Sequence, residues 1–373
     1  MAKVSPTGTM TAAYVNEWCA VGTVPDTISF GPVPAPPAPK KAEVLIGVKA
    51  ASINVDDVPL LQDTAAGGWC FHTRKPSATE PLVGGMDYAG VVLACGPGCK
   101  RLKVGDRVCG IVKVAEYQAG TWAEQTLAPE SDVCLIEDDG LSFVDAAAVA
   151  MGAFVGSDML KKAAKALAKG GGGGRRCLVL GASGALGTVM VQLLHQRGCH
   201  VTAVCSGANT EAVRRLGADA TVDYQKGPFE DGLAEADKFG VVFDFVGGAA
   251  AQRAAAPLLE RGGLFVTAVG DRQYVGDRRL SCCEWVSSAC CILRHVACGC
   301  GGKVRYVMSG AYPPLTAEVW RAAVLGAGAR AAVVEEVPFA EAPLQAALKR
   351  VASHHPGGGR VVMNMERRES DER

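Results

Sequence analysis

Apolar residues follow two regimes along this chain. From residue 141 onward, short continuous apolar runs alternate with longer stretches in which apolar positions recur at helical spacing. The runs at 176–180, 200–205, 220–222, 240–246, 263–269 and 303–308 read as buried strands, and the stretches at 143–151, 154–168, 188–196, 211–216, 252–259 and 316–325 read as helices. That succession predicts an α/β fold with a doubly wound parallel sheet covered on both faces. Before residue 141 the pattern changes. Runs at 43–50, 88–94, 107–114 and 121–127 are short strands separated by Gly, Pro and Asp turns, and the Pro-rich stretch 31–39 is a loop. Near the C-terminus, strands at 331–337 and 360–364 flank a helix at 343–351. Those two strands find no partner in a six-stranded parallel sheet, so they return to the β-rich part. The expected domains are residues 1–150, residues 151–329 and a returning segment, 330–373.

One strand-to-helix junction carries chemistry. Gly181, Ala182, Ser183, Gly184, Ala185, Leu186 and Gly187 lie between strand 176–180 and helix 188–196. In a dinucleotide site the first glycine makes the tight turn, the middle one admits phosphates, and the last permits close helix–strand packing. The helix N-terminus adds free N–H groups and a positive dipole end. A purely structural turn uses the same glycines. Position favours the dinucleotide, because a second parallel-type strand follows at 200–205. An acidic residue that binds the ribose of NAD belongs about 20 residues after the first glycines. Cys205, Ser206 and Gly207 stand there instead, with no carboxylate before Glu211. A small neutral site leaves room for a 2′-phosphate and favours NADPH over NADH. Tyr224 and Lys226, with Arg214 or Arg215, fall within reach of that phosphate, although a solvated helix face explains the arginines equally well.

Composition narrows the classes. The chain has 373 residues, too many for one small core, with 49% apolar and 20% charged residues, the profile of a globular protein. Its 38 basic and 38 acidic side chains cancel, which leaves no electrostatic footprint for nucleic acid or anionic membrane. No uninterrupted apolar stretch long enough to span a bilayer is expected, the nearest being broken by Glu284, Arg294 and His295. The first residues form neither a signal-peptide core nor a good transit peptide. A cytoplasmic location is the default, with mitochondrion or plastid as the alternative. Fifteen cysteines without a secretory signal read as reduced thiols. Neither Cys282, Cys283, Cys290, Cys291, Cys298 and Cys300 nor Cys95, Cys99 and Cys109 has zinc spacing, so no metal is assigned. The six histidines sit in no catalytic motif.

Several segments in order carry a resemblance: Lys49-Ala50-Ala51-Ser52-Ile53-Asn54, Gly85-Met86-Asp87-Tyr88-Ala89-Gly90, Val104-Gly105-Asp106-Arg107-Val108, Gly120-Thr121-Trp122-Ala123-Glu124, the Gly181–Gly187 turn, and Arg215-Leu216-Gly217-Ala218-Asp219. The chain resembles the medium-chain dehydrogenase/reductase superfamily over roughly residues 11 to 365, in particular its zinc-free quinone-oxidoreductase-like branch. Tyr306-Val307-Met308-Ser309-Gly310 and Val337-Pro338-Phe339 are similar to the mitochondrial reticulon-interacting members, with plastid-envelope and fungal enoyl-reductase members as near alternatives. The resemblance implies a GroES-like catalytic domain followed by a Rossmann domain, with the cofactor in the cleft between them. Zinc-dependent members carry Gly-His-Glu where this chain has Gly85-Met86-Asp87, which cannot reproduce that metal site. What remains is hydride transfer from NADPH to a quinone or an α,β-unsaturated carbonyl. The resemblance places Val246, Gly247, Val269 and Gly270 against the nicotinamide half, although small residues also serve simply to turn the chain after a buried strand. Asn54 would orient substrate, against the competing account of an Asn that bonds its own backbone; Asp56 and Asp57 follow it. Val55, Pro59, Ala150 and Val155 depart from the branch's usual residues and motivate a second reading, a catalytically vestigial reductase fold acting as a structural or regulatory subunit. The resemblance further implies a homodimer joined through 303–308, or a heterologous partner under that second reading. Acceptor choice falls to the motif-free loops 65–81 and 272–302.

Overall fold

The structure is a computed structural model that describes residues 8–62, 75–112, 114, 119–137, 140–169, 174–233, 238–270, 304–309, 330, 334–353 and 359–367. The expected helix 316–325, the Cys282–Cys300 group and most of both acceptor loops lie outside these residues. Strands are numbered in chain order: β1 Thr9–Val15, β2 Ser29–Pro34, β3 Glu43–Ile53, β4 Leu82–Val83, β5 Asp87–Cys95, β6 Arg107–Ile111, β7 Gln125–Pro129 and β8 Val133–Leu135. There follow β9 Arg176–Leu180, β10 His200–Cys205, β11 Ala220–Asp223, β12 Phe239–Asp244, β13 Leu259–Thr267, β14 Val304–Met308, β15 Val334–Pro338 and β16 Arg360–Asn364.

The continuous apolar runs form a six-stranded parallel sheet in the order β11-β10-β9-β12-β13-β14. Leu178 lies between Thr202 and Val242 in register and is fully buried, as a strand covered on both faces requires. Short strands from before residue 141, with the two near the C-terminus, form a second sheet, ordered β15-β16-β3-β5-β6-β8 with β7 also paired to β3. Here Val361 and Val362 of β16 lie antiparallel to Ile53 and Ser52 of β3. The chain's last described strand thus reaches back to the end of the strand that leads into Asn54.

Two expectations are corrected. The stretch at 31–39 is not all loop, because Ser29–Pro34 is a strand at the edge of the small sheet β2-β1-β4, where prolines need give no ladder hydrogen bond. The helices expected at 143–151 and 154–168 are one, Phe143–Leu167, capped by the Ser142 hydroxyl, which accepts from the Asp145 N–H at 3.0 Å. Gly152 does not break it, since a Cβ there would lie 2.6 Å from Val189 Cγ2; the glycine is needed for close packing on helix Gly187–His195. That single helix is long and apolar enough to cross a membrane by length and composition, although charged residues interrupt its apolar stretch, and most of it is buried between the two larger sheets. Its apolar surface therefore serves as core.

Candidate functional site

The glycine turn follows from local backbone demands. Gly181 sits at φ 74°, a left-handed conformation that disfavours side chains. At Gly187 a Cβ would lie 2.2 Å from Gly181 O, so only glycine lets the helix start that close to the strand. At Gly184 a Cβ would meet only Gly181 O, at 3.3 Å, leaving open space above. The helix that follows starts at Gly187, next to this turn, so its first-turn N–H groups have no intrahelical acceptor. The cradle fits a pyrophosphate.

Neighbouring strand ends complete the crevice. The expected strand 240–246 stops at Asp244 because its Oδ1 accepts from Val246 N–H at 3.0 Å and Gly247 N–H at 2.9 Å. Thr267 Oγ1 does the same for Val269 N–H at 3.1 Å and Gly270 N–H at 2.9 Å. Gly248 N–H then donates to Gly270 O at 2.9 Å, tying the two loops together, and Val246 remains 40% exposed at the mouth. Beyond β10, Asn209 Nδ2 bridges Ser206 Oγ at 3.0 Å and Ser183 Oγ at 3.3 Å, which joins the glycine turn to the next loop. Tyr224, Lys226 and Arg214 are exposed at that end. One carboxylate there was not expected. The parallel register sets Asp223 opposite Cys205, and a Cβ on Gly207 would lie 2.5 Å from Asp223 Oδ2. No local spacing signals this, since the acid arrives on a different strand.

Asn54 lies apart from solvent, 4% exposed, in a buried polar network. Its Oδ1 accepts from Arg360 Nη1, and its Nδ2 donates to Asp87 Oδ1 at 3.3 Å. Arg360 also donates through Nε to Ala148 O at 3.1 Å and through Nη2 to Asp87 Oδ2 at 3.4 Å. Ser52 N–H donates to Asp87 Oδ1 at 3.1 Å, and Ser52 Oγ to Ala147 O at 2.8 Å. Asp57 Oδ2 accepts from Asn54 N–H at 2.7 Å, while its buried Oδ1 has no partner. Burial pushes the Asp57 carboxyl well above the usual range, helped by the charges of Asp87 and Asp56 and opposed by the Asn54 N–H and Arg360. Burial likewise raises Asp87, against Arg360, Asn54 and Ser52. Burial lowers Arg360, and the surrounding carboxylates hold it up. Asp56, one residue before Asp57, is exposed. Sequence reasoning missed Arg360 and Asp87 as partners, since Asp87 fell just outside the strand expected at 88–94 and only strand pairing brings the two together.

Residues 359 and 360 bring turn and network together. Gly359 N–H donates to Ser183 O at 3.2 Å, and the next residue holds Asn54. Met86 and Asp87 do not fit a zinc ion, because Asp87 is already bonded to Ser52, Asn54 and Arg360. Among the described residues no group of three His, Cys, Asp or Glu side chains is arranged to hold a metal.

A model of the alcohol dehydrogenase GroES-like domain matches residues 40–138, and one of the zinc-binding dehydrogenase domain matches residues 185–274. With this fold and crevice, the chain belongs to the medium-chain dehydrogenase/reductase family, as an oxidoreductase with a nicotinamide-nucleotide fold. Among individual proteins it is similar to the NAD(P)H oxidoreductase RTN4IP1, mitochondrial, of Mus musculus, 32% identical over 338 residues that cover 87% of this chain and 82% of that one. It is also similar to the 2-methylene-furan-3-one reductase of Solanum lycopersicum, 37% identical over 57% of this chain and 52% of that one. The solved quinone oxidoreductase from Coxiella burnetii shares the fold with a TM-score of 0.72 at 18% identity, over 96% of this chain and 99% of that one.

Proposed function

We propose that this protein is an NADPH-dependent, zinc-independent reductase that delivers hydride to a quinone or an α,β-unsaturated carbonyl. The observation that carries the reading is the junction at Gly359 and Arg360, which fastens the phosphate-cradling turn to the network around Asn54. When bound, the nicotinamide supplies the hydride. Gly181, Ala182, Ser183, Gly184, Ala185, Leu186 and Gly187 cradle the pyrophosphate, and Val246, Gly247, Val269 and Gly270 shape the nicotinamide end. Ser206 and Tyr224, with Arg214 and Lys226, receive the 2′-phosphate, while Asp223 works against it. Asn54, held by Arg360 and Asp87, orients the acceptor. The names of the mouse and tomato relatives support this chemistry, and the former supports a mitochondrial location over the cytoplasmic default. We also infer a homodimer through β14, which forms one edge of the described parallel sheet and leaves Met308 37% exposed.

Calorimetric titration with NADPH and NADH, followed by NADPH consumption across a panel of quinones and enones, tests the reading. Tighter NADPH binding and turnover of at least one acceptor class are expected. No binding of either nucleotide and no turnover would overturn it. The second reading, a vestigial subunit with a heterologous partner at β14, is favoured by one observation: the Asn54 amide is buried and already engaged at both ends. Nucleotide binding with no turnover of any acceptor would select it.

A further inference from the structure

Asn209 stands directly before helix Thr210–Arg215, where an Asn side chain ordinarily caps a helix by accepting from an N–H of its first turn. It makes no such bond. Its Nδ2 instead donates to Ser206 Oγ at 3.0 Å and to Ser183 Oγ at 3.3 Å, two hydroxyls carried by different loops. Those loops leave the same end of the parallel sheet. Val204 pairs with Leu180 and Ala182 N–H donates to Val204 O at 3.0 Å, so β9 and β10 deliver Ser183 and Ser206 side by side. Asn209 and both serines are half-buried. One amide therefore fixes two hydroxyls on the rim of the nucleotide crevice.

The direction of these bonds matters. An amide nitrogen only donates, so each serine oxygen accepts from it and turns its own hydrogen away. Neither hydroxyl donates to another described residue. Two O–H donors are thus preset beside the crevice. A 2′-phosphate offers acceptors only and takes such donors, whereas a ribose 2′-hydroxyl is recognised by a carboxylate that accepts from it. The carboxylate at this end, Asp223, already accepts from the Gln225 N–H through Oδ1 at 3.0 Å. We propose that Asn209 is a positioning residue that makes the crevice selective for a 2′-phosphorylated nucleotide, by holding the Ser206 and Ser183 hydroxyls as outward donors. This rests on the nucleotide reading given above and adds to it the source of the NADPH preference. Asn209 acts through the serines.

The test is calorimetric titration of the protein with NADPH and with NADH, read as the ratio of the two affinities. Asn209→Ala removes no capping bond, so the thermal midpoint holds, while NADPH binding weakens about fivefold and NADH binding by less than about twofold. Asn209→Asp replaces the donor by an acceptor that draws both hydroxyl hydrogens inward and adds a negative charge. It lowers the ratio further than Asn209→Ala does. Because the amide acts through the hydroxyl, the double variant Asn209→Ala with Ser206→Ala loses less NADPH affinity than the sum of the two single losses. Equal weakening of both nucleotides by Asn209→Ala, an unchanged ratio, or additive losses in the double variant overturns the proposal while the nucleotide reading stands. An unaltered protein that binds neither nucleotide overturns that reading, and the proposal with it.

Discussion

The glycine turn and the Asn54 network are built on opposite principles. The turn takes seven consecutive residues and works through backbone, its geometry enforced by positive φ at Gly181 and by a close approach at Gly187. The network works through polar and charged side chains from β3, β5, β16 and the residues just after β3, and Arg360 lies 306 residues from the Asn54 it holds. A backbone site tolerates change wherever space remains, whereas a buried ionic site fails when any member leaves its partners uncompensated.

That contrast breaks first at Arg360. Arg360→Met leaves Asp87 buried without its cation and is expected to cost about 3–5 kcal/mol in urea unfolding, with Arg360→Lys recovering part of it. Gly187→Ala, which drives a Cβ into backbone, should cost about 1–3 kcal/mol by the same measurement. The pH dependence of stability separates two acids. Asp57 is raised in the folded protein, so between its unfolded value near 4 and its higher folded value the native chain keeps a proton that the unfolded chain releases. Its contribution is most favourable below about pH 4 and declines as pH rises, with a slope of at most about 1.4 kcal/mol per pH unit that Asp57→Asn flattens. Glu130 behaves oppositely. Burial raises it, but the N–H groups of Leu102, Lys100 and Arg101 and the Arg101 charge outweigh burial, so its contribution is lost as pH falls through the acidic range. Gly184→Asp should leave unfolding unchanged and weaken NADPH at least about tenfold by calorimetry, roughly 1.4 kcal/mol. The smallest effect is at the exposed ribose end, where Asp223→Asn should tighten NADPH by about 0.5–1 kcal/mol and leave NADH nearly unchanged.

The same division explains what the sequence discloses. Strands β9, β10 and β16 fall on the expected residues, because a fully buried strand needs an unbroken apolar run and turn residues bound it. The Gly181–Gly187 turn is legible for the same local reason. Edge strand β2 is masked by its prolines, and the single helix Phe143–Leu167 reads as two on either side of Gly152, whose packing partner, Val189, comes later in the chain. Asp223 beneath Gly207 and Arg360 beside Asn54 are invisible to spacing, since only strand pairing brings them there.

Because the guanidinium that steadies Asn54 is carried on the last described strand, synthesis order matters. A chain emerging from the ribosome completes its nucleotide turn well before residue 360 is added. Until that moment the acids at 57 and 87 have no counter-charge from Arg360, so the half that holds them is completed only after residue 360 has emerged.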